Sequence, residues 1–252
     1  MLAAAAIGSA AANENTMKEL ASTGKLRVGV VAAPSMSAFF VTQDAAGQPR
    51  GVTADLGAAL ADKLGVPVEF LVAPNSGEVT DALCAGALDV TFMPVDEERK
   101  QRVEFGPPYF MVESTYLVPA RSGIGTLADV DRPGVRVVGI ANTTTIRSAA
   151  RSLKNTTIVA ACSVDEAMAM LRAGQSDAFA LSHDSLPPLA AGLPGSRILA
   201  GGFQQTVIAI AVPKNRPQAL AAVTAFMADA KASGLVRRAL DAAGFKDAAV
   251  AP

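Results

Sequence analysis

The chain has 252 residues, half of them hydrophobic, which is enough for one large domain or two lobes with a sizeable core. Its formal net charge is −1 and no basic block is present, which excludes an extended nucleic-acid-binding surface. The single histidine, His183, argues against a multi-histidine zinc site, and neither a P-loop nor a Gly-x-Gly-x-x-Gly turn occurs. We therefore predict a globular protein that uses no cofactor and binds no nucleic acid.

The N-terminus is apolar and rich in small residues. The first twelve residues, MLAAAAIGSAAA, are typical of the hydrophobic region and cleavage site of a secretory signal peptide, although no basic residue precedes them. An Ala-rich helical tail is the alternative. We interpret residues 1–24 as a signal-peptide remnant and leader, and we expect the rest of the protein to be exported and soluble in the periplasm.

Strand and helix patterns alternate from residue 26 onward. Apolar runs and helical spacing predict, in order, strand Leu26–Ala32, helix Asp55–Leu64, strand Val66–Val72, helix Val79–Cys84 and strand Leu88–Met93. The same reasoning predicts an extended run at Tyr116–Pro119, strand Val135–Ile140, helix Ile146–Leu153, strand Thr157–Ala161, helix Val164–Arg172, strand Ala178–Leu181, strand Val207–Val212 and helices Ala219–Lys231 and Leu235–Ala243. This alternation implies a largely parallel sheet with helices on both faces.

Two features of this pattern concern the organisation of the chain. In each half a helix ends at a glycine, and an aspartate three residues later opens a strand, as Gly86 and Asp89 and again as Gly174 and Asp177. Two similar α/β halves would explain this repetition. If the last strand returns to the first sheet, the chain crosses between lobes near Tyr116–Pro119 and Gln204–Ile208, and two such crossings would form a hinge.

The two cysteines, Cys84 and Cys162, lie far apart in the sequence. An oxidising compartment would permit a disulfide between them, but we favour two buried, unpaired thiols.

The segment 86–110 carries the strongest functional signal. A buried strand ends there in an acidic turn and the cations Arg99, Lys100 and Arg102. A strand whose carboxyl end opens onto a guanidinium is a common way to build an anion site in an α/β sheet, whereas a solvated charge run is the alternative.

Several segments together resemble the family 3 extracytoplasmic solute-binding proteins, the polar amino-acid receptors of ABC importers. They are 26–30, 47–56, 86–89, 98–109, 137–145, 174–178 and 210–214. The resemblance implies an α/β fold with two lobes, of the periplasmic-binding-protein type II, joined by two hinge crossings. It implies a first lobe of residues 25–117 plus 208–252 and a second lobe of residues 118–207. It further implies a monomer that is not an enzyme, closes around a small ligand and docks on an ABC permease in the inner membrane.

The resemblance also assigns residues to the ligand site. Arg99 falls at the carboxylate-binding arginine of the family, and a planar guanidinium suits that role because it forms two parallel hydrogen bonds. Asn142, Thr143 and Thr144 fall where family members present backbone N–H groups at a helix start, which favours an anion. A plain helix cap would account for the same threonines.

Other positions depart from the family pattern. A hydroxyl residue is replaced by Pro94, the acidic residue that pairs with an ammonium is replaced by Ser182, and aromatic side-chain positions are occupied by Met36 or Ser37 and by Val52. Either Asp96 or Asp184 takes over the acidic role, or the ligand is a small organic carboxylate without an amino group. Apolar walls are expected from Phe39, Phe40, Met36 and Met93.

An enzyme on the same fold is the alternative function. Some proteins of this fold resemble cyclohexadienyl dehydratases, which act on prephenate or arogenate and need a general acid in the cleft. His183 and Asp184 are the candidates for that acid and its orienting partner.

Overall fold

The computed structural model describes residues 14–252, so the apolar stretch at the start of the predicted leader lies outside the described residues. Helix α1 occupies residues 14–20 and packs on the body of the protein, with Leu20 fully buried. The Glu19 carboxylate accepts a hydrogen bond from the backbone N–H of Ala219 (2.8 Å), in the first turn of a later helix. The described end of the predicted leader is therefore part of the folded protein.

The elements that follow α1 alternate as predicted. They are β1 (Leu26–Ala32), β2 (Phe40–Gln43), β3 (Pro49–Arg50), α2 (Val52–Leu64), β4 (Val68–Ala73), α3 (Ser76–Cys84), β5 (Val90–Pro94) and α4 (Glu97–Arg102). Strand β1 matches its prediction residue for residue. Helices α2 and α3 begin three residues earlier than predicted, because their first turns contain small residues that the apolar spacing does not mark.

The second half of the chain adds one unexpectedly long strand. The elements are β6 (Val103–Val118), β7 (Arg136–Ile140), α5 (Thr144–Ser152), β8 (Thr157–Ala161), α6 (Val164–Arg172), β9 (Ala178–Ser182), α7 (Leu186–Ala191), β10 (Arg197–Ile198), β11 (Gln204–Pro213), α8 (Pro217–Ala232) and α9 (Leu235–Ala242). The extended run predicted at Tyr116–Pro119 is only the end of β6, which has 16 residues.

Strands β6 and β11 join two α/β lobes. They pair antiparallel with each other from Val103 to Ser114. Strand β11 also pairs with β5, whereas β6 pairs with β9 through Ser114–Leu117. The hydrogen-bonded strand order is β3-β2-β1-β5-β11-β6-β9-β7-β8, with β4 beside β1 and β10 beside β6. We call β1–β5 with α2–α4, α8 and α9 the first lobe, and β7–β9 with α5–α7 the second lobe.

The sequence repetition corresponds to the same ion pair in each lobe. At the start of β5, Asp89 accepts hydrogen bonds from the Arg27 guanidinium (2.7 and 3.0 Å) and from the Arg27 backbone N–H (2.9 Å). At the start of β9, Asp177 accepts the matching bonds from Arg136 (2.9, 3.0 and 2.9 Å). Each aspartate thereby fixes the start of its strand against the adjacent parallel strand, β1 or β7. We call these two pairs the strand clamps.

Both cysteines are free among the described residues, but the prediction that they are buried is wrong. Cys84 is the last residue of α3 and Cys162 precedes the cap of α6, and both are exposed. Helix ends face solvent more than helix middles do, and the sequence pattern does not resolve that difference.

Within residues 14–252, no single helix is both long and apolar enough to cross a membrane. Helices α8 and α9 reach the required length and apolarity only when they are counted together across a bend of 71°.

We expect Asp89→Asn to lower the free energy of unfolding by about 2–3 kcal/mol, because it weakens charge-assisted hydrogen bonds at a side chain that is only 2% exposed. Asp177→Asn should cost less, because its clamp is more exposed and water screens it. Urea denaturation measures both changes, with the exposed pair of Asp241 and Arg237 as a control through Asp241→Asn. Equal losses in all three variants would contradict the role of the clamps.

The second clamp also has a predicted pH dependence. The hydrogen bond from Arg136 lowers the pKa of Asp177 below its ordinary value. Its contribution to stability is therefore present above the unfolded-state pKa of about 3.9 and is lost as the pH falls through the lowered pKa. Wild type and Asp177→Asn should converge in stability over that acidic range.

Candidate functional site

A cavity lies between the two lobes, at the carboxyl ends of β5 and β7. Such ends are where open α/β sheets bind ligands. The space open to the centre of a water molecule is about 40 Å³, so the lobes are close together in this structure. Of the residues predicted for the site, those that line the cavity are Phe40, Pro94, Thr143, Thr144, Ser182 and Asp184.

Arg99 lies directly behind the wall of this cavity and is 2% exposed. Its guanidinium donates to the Ser76 hydroxyl (2.6 Å) and the Pro94 carbonyl (3.0 Å), and both of those residues line the cavity. A third bond reaches the carbonyl of Asn142 in the second lobe (3.2 Å). The sequence suggested amide hydrogens opposite this guanidinium, whereas the structure puts a carbonyl oxygen there.

The charge of Arg99 is not compensated by a direct ion pair. Among the described residues no carboxylate lies within 4.0 Å of the guanidinium nitrogens. Burial, together with the positive charge of Arg147, lowers the pKa of Arg99 to about 10. A guanidinium has five N–H donors, and three bond to the described residues, which leaves two for another acceptor. Two unused donors on a buried cation are chemically suited to an anionic acceptor.

Arg99 and Asn142 also line a small polar crevice next to the cavity, together with Arg102 and Arg147. Asn142 has a φ of 57°, in the left-handed region that asparagine tolerates better than most residues. This backbone conformation allows the Asn142 carbonyl to contact Arg99.

Asp96 pairs with the second lobe and is not in contact with the cavity. Its carboxylate caps α4 by accepting from the Arg99 backbone N–H (2.8 Å) and forms an ion pair with Arg147 (Nε to Oδ2, 3.0 Å). Burial raises the pKa of Asp96, but the hydrogen bonds from Arg147 and Arg99 outweigh burial and hold that pKa below its ordinary value. Asp96 is therefore already neutralised by a cation of the protein.

Besides Arg99, Asn142 and Asp96, four predicted site residues do not line the cavity. Ser37 is buried and its hydroxyl accepts from the backbone N–H groups of Phe39 and Phe40 (3.1 and 2.8 Å). Val52 starts α2 within the core, and the Met93 sulfur is buried and accepts from a threonine hydroxyl. Met36 is half-buried against Gly51. These residues support the walls from behind.

The start of helix α5 forms one end of the cavity. Thr143 caps the helix by accepting from the Ile146 N–H (3.3 Å), which confirms the capping interpretation. The backbone N–H groups of Thr144 and Thr145, in the first turn, have no partner within the helix. The Thr144 hydroxyl is buried and makes no hydrogen bond to the described residues. This end offers donors to an anion.

Asp184 provides the negative charge of the cavity. One carboxylate oxygen accepts from the backbone N–H of Ala38 in the first lobe (3.1 Å), while Oδ1 is buried without a hydrogen-bond partner among the described residues. Burial raises the pKa of Asp184, and the hydrogen bond from Ala38 offsets part of that rise. The Tyr109 hydroxyl donates to the Ala38 carbonyl (2.6 Å) and so holds this loop in place.

His183 is exposed and does not line the cavity. It lies in an open depression at Met111 and Glu113, on the far side of Asp184. The described residues contain no cluster of three or more His, Cys, Asp or Glu side chains that could hold a metal ion.

Sequence reasoning missed most of the cavity wall. Phe39 lines the cavity as expected, and so does Thr145 at the start of α5. Lining residues that were not predicted are Pro74, Asn75, Ser76, Phe110, Val112, Ser114, Ile140, Val164, Leu181, Thr206 and Ile208. A signal existed for Ile140, which is the last residue of a predicted strand. Phe110, Val112 and Ile208 lie on β6 and β11, where the crossing of the lobes and not the local pattern brings them to the cavity.

Comparison with known proteins supports this architecture at the sequence level. Residues 26–242 match the family model for bacterial extracellular solute-binding proteins, family 3. A glutamine-binding protein of Geobacillus stearothermophilus is 28% identical over 198 residues, which is 77% of this chain and 74% of that protein. A probable histidine-binding protein of Campylobacter jejuni is 26% identical over 174 residues, which is 68% and 65% of the two chains.

Solved structures confirm the predicted two-lobed α/β fold. A mutant of ArgBP from T. maritima superposes with a TM-score of 0.79 at 24% identity and covers 90% of this chain and 98% of that chain. The ancestral amino acid-binding protein AncCDT-1, described as a precursor of cyclohexadienyl dehydratase, gives a TM-score of 0.76 at 27% identity with the same coverage.

The two lobes pack closely together at Gly77. A Cβ atom on Gly77 in α3 would lie 2.4 Å from the Cβ of Asn142 in the second lobe.

We expect Gly77→Ala to hold the lobes apart without harming the first lobe, since alanine favours a helix over glycine by about 0.5–1 kcal/mol. Small-angle X-ray scattering should report a larger radius of gyration for Gly77→Ala than for wild type. Gly125→Ala, whose Cβ would meet its nearest atom at 3.5 Å, is the control. A radius unchanged from wild type would contradict this prediction.

Proposed function

Because the chain belongs to family 3 of the bacterial extracellular solute-binding proteins, we propose that it captures a free α-amino acid between its lobes and delivers it to the permease of an ABC importer. In this proposal the protein binds its ligand without chemistry, outside the cytoplasm and as a monomer. The observation that carries the proposal is the pair of unsatisfied, opposite charges at one cavity, Arg99 behind one wall and Asp184 in another.

The carboxylate of the ligand would bind at Arg99 and the start of α5. A buried cation without a counter-charge is unfavourable, so an anion that reaches the guanidinium gains more there than it would at the surface. The ligand carboxylate would take the position at Nη2 that the Asn142 carbonyl holds now, and it would accept from the Thr144 hydroxyl and first-turn N–H groups. Donors from both lobes would then hold one group.

The ammonium of the ligand would bind at Asp184. Its Oδ1 atom has no hydrogen-bond partner among the described residues. In the sequence, Asp184 lies two residues after Ser182, the position at which the family carries the acidic residue. Of the two aspartates considered from the sequence, Asp96 is paired with Arg147, and Asp184 has an oxygen without a partner. This difference favours an amino acid over a carboxylate that lacks an amino group.

Ligand binding would be coupled to lobe closure through the two crossing strands. Contacts between the lobes include Arg147 with Asp96 and the Asn75 side chain with the Cys162 carbonyl (3.1 Å). Because only close lobes make both sets of ligand contacts, the ligand would shift the population toward closure. The pairing of Ser114–Leu117 with β9 suggests that the first crossing lies near residue 113, a few residues before the predicted boundary at 117.

The dehydratase alternative has weaker support. It needs a general acid inside the cleft, and its proposed pair was His183 with Asp184. With His183 exposed outside the cavity, Asp184 alone would have to serve as acid. Incubation with prephenate or arogenate, followed by absorbance of the aromatic product, tests this alternative directly.

Arg99→Met should abolish the thermal shift that the best of the twenty proteinogenic amino acids gives with wild type. Methionine keeps most of the buried volume but removes the donors, and we expect a loss of affinity of about 100-fold for a charge-assisted pair of this kind. Arg102→Met, on the exposed end of the same helix, is the matched control and should bind like wild type. Retained binding in Arg99→Met would remove Arg99 from the site.

Asp184→Asn should distinguish the contribution of the ligand's amino group to binding from that of its carboxylate. We expect it to weaken binding of the amino acid by about 30-fold or more, and to leave binding of the corresponding 2-oxo acid unchanged or improved. In wild type the affinity for the amino acid should fall on acidification, because protonated Asp184 no longer attracts an ammonium, and calorimetry across pH measures this. Asp165→Asn, at the exposed start of α6, is the control. A pH dependence that survives in Asp184→Asn would contradict the assignment.

A further inference from the structure

Apart from its two charged ends, the cavity has apolar walls. These walls come from both lobes. Phe39, Phe110, Val112 and Ile208 belong to the first lobe and the crossing strands, and Ile140 and Leu181 belong to the second lobe. All six are at least nine-tenths buried. A ligand side chain that enters this space meets hydrocarbon on most sides.

Four polar residues of the wall form hydrogen bonds within the protein. The Asn75 side chain bonds to Glu78 and to the Cys162 carbonyl, the Thr143 hydroxyl donates to the Ile140 carbonyl (2.7 Å), and the Thr206 hydroxyl donates to the Val95 carbonyl (2.8 Å). The Ser182 and Ser185 hydroxyls bond to each other (2.6 Å). The other lining hydroxyls lie near the end assigned to the carboxylate: Ser76 accepts from Arg99, Thr144 is in the first turn of α5, and Thr145 lies 3.5 Å from the Ser114 hydroxyl.

Asp184 is the one charged side chain among the described residues that line the cavity, and the α-ammonium would use it. A charged ligand side chain would therefore meet no counter-charge in the wall, and an amide would meet mainly hydrocarbon away from the carboxylate end. Leaving one such group unsatisfied costs about 1–3 kcal/mol, and more when the group is charged. This cost acts against glutamine, histidine and arginine as ligands.

The size of the space limits bulky side chains. The volume open to water centres, about 40 Å³ for the whole cavity, must also receive the α-carboxylate and the α-ammonium, so any amino acid needs the lobes or the wall to move. A branched aliphatic side chain of three or four carbon atoms needs a smaller movement than a large aromatic side chain.

Given the proposed function, on which this step rests, we propose that the ligand is an α-amino acid with a branched aliphatic side chain. The apolar wall that would hold this side chain consists of Phe39, Phe110, Val112, Ile140, Leu181 and Ile208. Specificity then arises by exclusion. The charged ends accept any α-amino acid, and the wall rejects side chains that need hydrogen bonds.

Isothermal titration calorimetry of the wild-type protein with leucine, isoleucine, valine, glutamine, histidine, arginine and tryptophan tests this proposal. We expect one of the three branched amino acids to bind at least 100-fold more tightly than each of the others. If glutamine, histidine or arginine binds most tightly, the proposal of an apolar ligand side chain is overturned and the proposed function stands. Tightest binding of tryptophan would overturn the size limit. Failure of every amino acid, including the rest of the twenty, would instead overturn the proposed function.

A matched pair of variants tests the wall itself. Val112→Thr keeps the shape and the β-branch but adds a hydroxyl at the cavity, and it should weaken leucine binding about 10-fold, since one such change in an apolar pocket has that order of effect. Val207→Thr makes the same change on β11 at a residue that does not line the cavity, and its affinity should match wild type. Melting temperatures without ligand establish that both variants fold. Equal affinities in the two variants would overturn the role of Val112 in the wall.

Discussion

The hydrogen bond from the buried Arg99 guanidinium to the Asn142 carbonyl joins the two lobes at the point where their surfaces meet. The guanidinium is desolvated, faces neutral acceptors only and has donors left over. Because a full charge in that environment is costly, an anion that reached the guanidinium would offset part of that cost. The start of α5, the Ser76 hydroxyl and the cap at Asp96 are all arranged around this one group.

The crossing strands determine what surrounds that group. Strands β6 and β11 carry Phe110, Val112 and Ile208 from the sheet of the first lobe to the space between the lobes. Since they are the covalent connection, the apolar wall that they supply stays with the cavity whatever the angle between the lobes. Asp184, in contrast, reaches the cavity from the second lobe and bonds to the Ala38 loop of the first. Wall and charge are therefore contributed by different parts of the fold.

Local pattern was sufficient to predict the regular elements and to mark the two aspartates of the strand clamps, and it failed where distant segments meet. Strand β1, helix α6 and the cap at Thr143 follow from a few neighbouring residues. The full length of β6 was not predicted, because Gly106, Pro107 and Pro108 interrupt the alternation that marks a strand. The pairing of Asp96 with Arg147 joins residues 51 positions apart. No local signal distinguishes that aspartate from Asp184, and only the packed lobes do.

The exposure of both thiols has a practical consequence. Cys84 ends a helix of the first lobe, Cys162 precedes a helix of the second, and the chain contains no other cysteine. The chain therefore already carries one attachment point for a spectroscopic label on each lobe. A donor and an acceptor dye, or two nitroxides, attached to these thiols would measure the distance between the lobes in solution without any engineered residue.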